Sequence, residues 1–158
     1  MKVTVIAVGR ARGLLAPAIA EYETRAARYW KLEVVEVDAG SGRGDAAPRD
    51  VRRAEAERIL ARIPAGADVT ALTRAGKGMS SRMLASHLSS LALGSSLGAA
   101  FVLGGAFGLG KDVLDKSRWK LSLSQMTLPH EMARLVLAEQ LYRAGTIHRN
   151  EPYHKEGS

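Results

Sequence analysis

The chain has 158 residues, of which 46% are hydrophobic and 25% are charged, and this composition excludes a wholly disordered protein. It contains no cysteine, which excludes disulfides, thiolate metal sites and a cysteine nucleophile, and with only four histidines no metal site is expected. Lys and Arg number 23 against 16 Asp and Glu, a net charge of +7, so an anionic partner such as nucleic acid is favoured, with an inert basic surface as the alternative. No apolar stretch approaches the ~20 residues of a membrane-spanning helix, and the N-terminus lacks the pattern of a signal peptide. We therefore expect a cytoplasmic protein without membrane contact, with one domain over residues 1–158.

Hydrophobic patterning predicts strands that alternate with helices along the whole chain. The strands are predicted at Lys2–Val8, Leu32–Asp38, Asp68–Thr73, Ala99–Leu103 and Trp119–Ser124. The helices are predicted at Leu14–Tyr29, Arg49–Ile63, from a cap at Ser80 or Ser81 to Leu93, at Lys111–Lys116, and from near Pro129 to Ala144 or beyond. A short basic loop with three glycines is predicted at Ala39–Pro48, and a glycine-rich turn at Arg74–Met79. This alternation predicts an α/β fold in which a mainly parallel sheet carries helices on both faces.

Three loops that follow predicted strands form the candidate ligand site. They are Leu72–Ser81, Gly104–Gly110 and Leu123–Leu128, and all should emerge at the carboxyl edge of the sheet, where α/β proteins bind ligands. Glycines allow close approach of backbone to ligand, and the third loop mixes apolar side chains with free main-chain N–H and C=O groups. Such a lining suits an adenine ring, whereas the alternative is that the glycines only make turns.

One glycine motif resembles a phosphate-binding P-loop. The segment Gly105–Lys111 fits G-x-x-x-x-G-K, but the next residue is Asp112 instead of the Ser or Thr whose hydroxyl binds magnesium. A carboxylate at this position would face phosphate oxygens, which argues against an NTPase.

The last predicted helix and the tail carry the remaining candidate residues. Met132, Leu135, Val136 and Leu141 predict an apolar stripe, and Glu139 with Arg143 predicts an intrahelical ion pair. His130 stands at the helix start beside the third loop, either as a hydrogen-bonded turn residue or as a group facing substrate. The tail combines Tyr153 with basic neighbours, and an aromatic ring beside cations can stack on a nucleic-acid base.

Several motifs together resemble one known family over essentially the whole chain. They are Val-Ile-Ala-Val-Gly at residues 5–9, Gly76-Lys77, Gly104-Gly105, Ser-Leu-Ser-Gln-Met-Thr-Leu-Pro-His at 122–130, Arg134, Glu-Gln-Leu-Tyr-Arg-Ala at 139–144 and Pro-Tyr-His-Lys at 152–155. On these motifs the chain resembles the bacterial ribosomal RNA large subunit methyltransferase H family, which are small SPOUT-class enzymes.

The resemblance implies a fold, an activity and partners. It implies an α/β domain whose C-terminal part passes through a loop and forms a trefoil knot, an exception to the rule that chains are unknotted. It implies a homodimer that transfers a methyl group from S-adenosylmethionine to N(3) of a pseudouridine in 23S rRNA of the assembled ribosome. The alternative is a non-catalytic rRNA-binding or ribosome-docking module.

The resemblance also implies roles for individual residues. The cofactor contacts would be Leu72, Gly104, Gly105, Leu123, Ser124, Gln125, Met126, Thr127 and Leu128. The residues that face RNA would be Arg143, Tyr153, His154 and Lys155, and the catalytic candidates are His130, Arg134 and His154. The chain departs from the family pattern at Thr73, where an acid is common, and at Ala106-Phe107 in the double-glycine loop.

Elementary chemistry agrees with nitrogen methylation. Methylation of a pyrimidine carbon usually needs a covalent cysteine adduct, which this chain cannot form. A ring nitrogen needs only to lose its proton and to meet the methyl group in line. His130 or His154 could accept that proton, with water or a backbone group as alternatives, and Arg134 could stabilise the anionic ring.

Overall fold

The structure is a computed structural model that describes residues 1–40 and 47–155. Most of the predicted basic loop, residues 41–46, lies outside the described residues. The strands are β1 Lys2–Val8, β2 Lys31–Val37, β3 Asp68–Lys77, β4 Ala99–Leu103 and β5 Trp119–Leu121. The α-helices are α1 Ala16–Ala26, α2 Pro48–Leu60, α3 Ser81–Leu93, α4 Lys111–Lys116 and α5 His130–His148, with 3₁₀ turns at Gly13–Leu15 and Pro152–His154.

The five strands form one sheet in the order β2-β1-β4-β3-β5, and every pairing is parallel. Strand β4 is buried along its whole length. Alternate β1 side chains enter two different cores, with Val3 and Val5 in one and Ile6 and Val8 in the other. The first core includes residues of α1, α3 and α5, and the second includes residues of α2 and α4. The prediction of a parallel sheet with helices on both faces is confirmed.

Strand β3 is longer than predicted, and the prediction of a glycine-rich turn at Arg74–Met79 is wrong. Leu72 and Lys77 both pair with Leu121, so the end of β3 contains a bulge, and the Ser122 N–H donates to the Lys77 carbonyl at 2.9 Å. A Cβ on Gly76 would lie 2.6 Å from the Lys120 carbonyl carbon, so only glycine allows this approach. Gly76 therefore allows close approach of the β3 backbone to β5 instead of a reversal of the chain.

The ends of other elements also differ from the prediction. Strand β5 stops at Leu121, three residues before the expected end at Ser124. Ser80 caps α3 by accepting a hydrogen bond from the Met83 N–H at 3.1 Å, as expected. Pro129 precedes α5 as its N-cap, and the helix continues to His148.

The apolar stripe predicted for α5 is only partly correct. Leu141 is fully buried, but Met132, Leu135 and Val136 are only half-buried. The inward face instead carries Leu137, Ala138, Leu141 and Ala144. Helix α5 contacts both α1 and α3, so two neighbouring helices decide which side is buried.

Two classes of feature are absent from the described residues. None of the helices in the described ranges is long and apolar enough to cross a membrane. No group of three His, Asp or Glu side chains within residues 1–40 and 47–155 could hold a metal ion.

Candidate active site

The three predicted loops meet in one cleft of about 640 Å³ at the carboxyl ends of β3, β4 and β5. Eight of the nine predicted cofactor contacts line it, namely Leu72, Gly104, Gly105, Leu123, Ser124, Met126, Thr127 and Leu128. Gln125 is exposed and does not line the cleft. The cleft has the size of a small-molecule site, and its wall is largely apolar.

Further residues of the cleft wall were not predicted as individual cofactor contacts, although Arg74 and Phe107 lie in two of the predicted loops. Leu121 and Ala133 reach it from β5 and α5, and Phe107, expected only as a departure from the family pattern, forms part of it at 45% exposure. Arg74 also lines the cleft and hydrogen-bonds the Thr127 hydroxyl, which ties the first loop to the third. This contact depends on the extension of β3 that the sequence did not predict.

The double-glycine loop is a tight turn. The Gly108 N–H donates to the Gly105 carbonyl at 3.1 Å, and Gly108 has a φ of +78°, which favours glycine. A Cβ on Gly104 would lie 2.6 Å from the Gly108 carbonyl carbon. The glycines therefore let this loop fold on itself at the cleft wall.

The third loop offers main-chain donors. Ser122 Oγ donates to the Ser124 carbonyl at 2.8 Å, and the Met126 N–H donates to Ser124 Oγ at 3.0 Å. The N–H groups of Thr127 and Leu128 make no hydrogen bond with the described part of the chain. These donors, next to apolar side chains, can bind a planar polar ring.

His130 and Arg134 share a helix face but have different surroundings. His130 is exposed at the rim of the cleft, where it also borders a groove of about 900 Å³. Arg134 is buried and does not line the cleft, and its Nε and Nη1 lie 2.8 Å from Glu23 Oε1 and 2.7 Å from Glu36 Oε2. Burial alone would lower the pKa of Arg134, but the hydrogen bonds with Glu23 and Glu36 outweigh it and raise the pKa above its ordinary value. Arg134 therefore stays a permanent cation with its donors engaged inside the protein.

Glu36 links this ion pair to the loop after β1. Its Oε2 also accepts the Ala11 N–H at 3.1 Å. Burial by itself raises the pKa of Glu36, yet the hydrogen bonds from Arg134 and the Ala11 N–H lower it below its ordinary value of 4.5. The Arg12 N–H donates to Glu131 at 3.0 Å, so the loop is also attached to the first turn of α5.

The predicted RNA-facing residues cluster at the other end of α5. The Arg143–Glu139 pair is confirmed at 2.6 Å, and the Tyr153 hydroxyl donates to Glu139 at 3.1 Å while Arg143 stacks 4.9 Å from the Tyr153 ring centre. Burial, followed by the charge of Glu139, raises the pKa of Tyr153. Arg143, His154 and Lys155 border a second pocket of about 390 Å³.

The tail is folded against the helices. The Glu151 N–H donates to the Thr146 carbonyl at 2.8 Å, and the Tyr29 hydroxyl hydrogen-bonds the Glu151 carboxylate. The pKa of Tyr29 is raised to about 12, mainly by this hydrogen bond. The Nδ1 atom of His154 is buried without a partner in the described structure.

Within one chain, the two groups of predicted residues are far apart. His130 and Arg143 are separated by 13 residues of one helix, which is about 20 Å along its axis. The structure therefore brings together the cofactor candidates and His130, and separately Arg143, Tyr153, His154 and Lys155, but it does not unite the two groups.

Comparison with known proteins agrees with this architecture. A family model described as "Predicted SPOUT methyltransferase" matches residues 1–154. "Ribosomal RNA large subunit methyltransferase H" of Gemmatimonas aurantiaca is 51% identical over 156 residues, which cover 98% of this chain and 100% of that protein. The protein of the same name from Syntrophotalea carbinolica is 45% identical over 98% of this chain and 99% of its own length.

Solved structures show the same fold at low identity. One from Haemophilus influenzae, described as a probable methylase family protein, has a TM-score of 0.50 at 15% identity, over 99% of this chain and 70% of that one. A second, described as "Structural insights into the 2-OH methylation of C/U34 on tRNA", has a TM-score of 0.51 at 18% identity and covers 92% of this chain and 91% of that one.

Proposed function

This chain belongs to the ribosomal RNA large subunit methyltransferase H family of the SPOUT methyltransferases, and we propose that it methylates N(3) of a pseudouridine in 23S rRNA of the assembled ribosome, with S-adenosylmethionine as donor. The observation that carries this proposal is the convergence of three strand-end loops in one cleft whose rim holds an exposed histidine. The net charge of +7 and the relatives named as rRNA methyltransferases support an rRNA substrate in the cytoplasm.

The residues of the cleft fit S-adenosylmethionine. Leu72, Leu103 and Leu128 would supply apolar surface for the adenine ring, and the main-chain N–H groups of Thr127 and Leu128 would supply donors for its nitrogens. When bound, this cofactor supplies an electrophilic methyl group on a cationic sulfur. The protein's own contribution is to hold the donor and the target base in line, and such positioning can supply on the order of 7–11 kcal/mol.

The target nitrogen must lose its proton. His130 stands at the rim of the cleft with an exposed ring, and an imidazole nitrogen can accept a proton. It is therefore one candidate general base, and His154 is the other.

Arg134 contributes to the proposed reaction indirectly, by fixing the position of the helix turn next to His130. Its guanidinium is engaged by Glu23 and Glu36, so direct contact with the anionic ring would require both carboxylates to release it. One helical turn separates Arg134 from His130, and the ion pairs attach this turn of α5 to α1 and β2. We assign Arg134 the role of a positioning residue for His130.

The separation of the two residue groups supports a homodimeric site. Because about 20 Å separate His130 from Arg143 along α5, one chain cannot place both on the same base. A second copy related by two-fold symmetry could bring its Tyr153 and His154 to the cleft, and the half-exposed Leu135 and Val136 of α5 are available for such contact. The tail of one copy would then hold RNA over the donor of the other.

The close passage of two chain segments supports the proposed trefoil knot. Residues 73–76 of β3 form a bulge between Leu72 and Lys77, which both pair with Leu121, and Gly76 passes against the backbone of Lys120. We propose that the C-terminal part of the chain threads through this segment.

The test uses ribosomes that lack the modification. The purified protein, unmodified 70S ribosomes and S-adenosylmethionine should yield one methylpseudouridine in 23S rRNA by mass spectrometry, and calorimetry should show binding of the cofactor alone. Free 23S rRNA is the matched control and should remain unmethylated. Absence of cofactor binding together with ribosome binding would contradict the proposal and favour the non-catalytic rRNA-binding module.

A further inference from the structure

Glu55 of α2 is a buried carboxylate whose hydrogen bonds are incomplete. Its exposure is 3%, its Oε2 accepts the Gly40 N–H at 2.9 Å, and its Oε1 has no partner among the described residues. Burying an ionised group without a full set of hydrogen bonds costs free energy. Such groups are therefore found preferentially at functional sites, where the charge takes part in binding or catalysis. Within residues 1–40 and 47–155 Glu55 has one hydrogen bond, which points to a function outside packing.

The carboxylate lies directly behind the wall of the cleft. A Cβ on Gly105 would lie 3.1 Å from both Glu55 oxygens and 3.0 Å from Val8 Cγ1, so the carboxylate occupies the space beside Gly105 that a side chain would need. Gly105 lines the cleft and Glu55 does not, so the carboxylate is buried next to a residue of the cleft wall. In such a water-poor position a charge acts over longer distances than it does in solvent.

The cleft itself has no negative charge among the described residues that line it. Arg74 and His130 are its charged or titratable members. Thr73 and the pair Ala106-Phe107, where this chain departs from the family pattern, supply no carboxylate either. A cationic ligand would therefore meet a lining without any opposite charge.

We propose that Glu55 is a specificity-determining residue that favours a positively charged methyl donor over the neutral product. The inference rests on the proposed function, because S-adenosylmethionine carries a sulfonium and S-adenosylhomocysteine has a neutral thioether in its place. The two molecules share adenosine and amino acid groups, so the effect of Glu55 on these groups cancels when the two affinities are compared and the effect on the sulfonium remains. The consequence for turnover is preferential release of product after the charge is lost.

The test compares dissociation constants, not activity. Calorimetry with S-adenosylmethionine and S-adenosylhomocysteine is carried out on the wild type, Glu55→Gln and the matched control Glu57→Gln, which lies exposed on the same helix. We expect Glu55→Gln to bind the donor about tenfold more weakly, equivalent to about 1.4 kcal/mol, and the product within twofold of wild type. Glu57→Gln should leave both constants unchanged.

Two further measurements distinguish a loss of ligand preference from a loss of folding. Gln keeps the shape of Glu and removes an unpaired buried charge, so the free energy of unfolding should stay equal or rise, and Glu55→Asp should retain the preference for the donor. Equal weakening of both ligands in Glu55→Gln, or no change in either, would overturn the proposal. Failure of the wild type to bind either ligand would instead reject the proposed function itself.

Discussion

Arg134 Nη1 lies 2.7 Å from Glu36 Oε2, and this ion pair joins the first turns of α5 to the end of β2. The same guanidinium reaches Glu23 at 2.8 Å, so a single buried cation connects three elements beside the cleft. The arrangement holds His130, one helical turn away, in a defined place. The proposed general base thus stands next to a network of ion pairs, and the contributions of both are open to measurement.

Replacement of Arg134 by glutamine should destabilise the protein. The change leaves two carboxylates without their cation, and because Glu36 is 36% exposed we expect a loss of about 2 kcal/mol, below the 3–5 kcal/mol of a fully buried pair. Urea unfolding measures the difference. The control Lys111→Gln removes an exposed pair with Asp115 and should leave the free energy of unfolding nearly unchanged, because solvent screens such a pair. Equal stability of Arg134→Gln and wild type would show that the network does not support the fold.

The contribution of Glu36 should depend on pH in the acid range. Its pKa in the folded protein lies below the ordinary 4.5, so its stabilisation is complete above that pH and is lost as the pH falls through the folded pKa. The stability difference between wild type and Glu36→Gln should therefore be largest near pH 7 and shrink below about pH 4.5. Urea unfolding at pH 7, 4.5 and 3 checks this. Glu57→Gln should show no such trend, and a difference that grows on acidification would contradict the assignment.

Substitution of Gly104 by alanine should damage the cleft. The new Cβ would lie 2.6 Å from the Gly108 carbonyl carbon, and backbone atoms in a tight turn cannot move away cheaply. We expect S-adenosylmethionine to bind at least about tenfold more weakly by calorimetry. Gly78→Ala is the matched control, because nothing lies within 4 Å of its new Cβ. Unchanged affinity in Gly104→Ala would mean that the double-glycine loop is not part of the cofactor site.

Truncation after Asn150 should separate cofactor binding from catalysis. It removes Tyr153, His154 and Lys155, which lie far along α5 from the cleft in the same chain. We expect methylation of ribosomes to be abolished and the dissociation constant of S-adenosylmethionine to stay within about twofold. In a companion pair, His154→Ala should reduce turnover and His148→Ala should not. A truncated protein with normal turnover would show that the tail has no part in the reaction.

The alternation of apolar strands and amphipathic helices was readable from the sequence because neighbouring residues determine it. Strand β1, the glycine loop after β4 and the Ser80 cap all appear where local patterns place them. The wrong predictions concern residues whose structure depends on contacts with segments far away in the sequence. The end of β3 pairs with β5, which lies more than 40 residues later, and α5 is buried according to its contacts with α1 and α3.

The sequence by itself determined the fold class, the three loops of the cleft and the family, because strand period, glycine content and a long C-terminal motif are properties of adjacent residues. Only the tertiary structure decided the roles of individual charges. The family resemblance implies that Arg134 meets substrate, yet Glu23 and Glu36, about 100 residues earlier in the chain, engage it inside the protein. Glu55 has no distinguishing pattern, and its position behind Gly105 exists only once α2 packs at the carboxyl edge of the sheet. The environment of a charge depends on which surfaces exclude water around it, and that is a property of the folded chain.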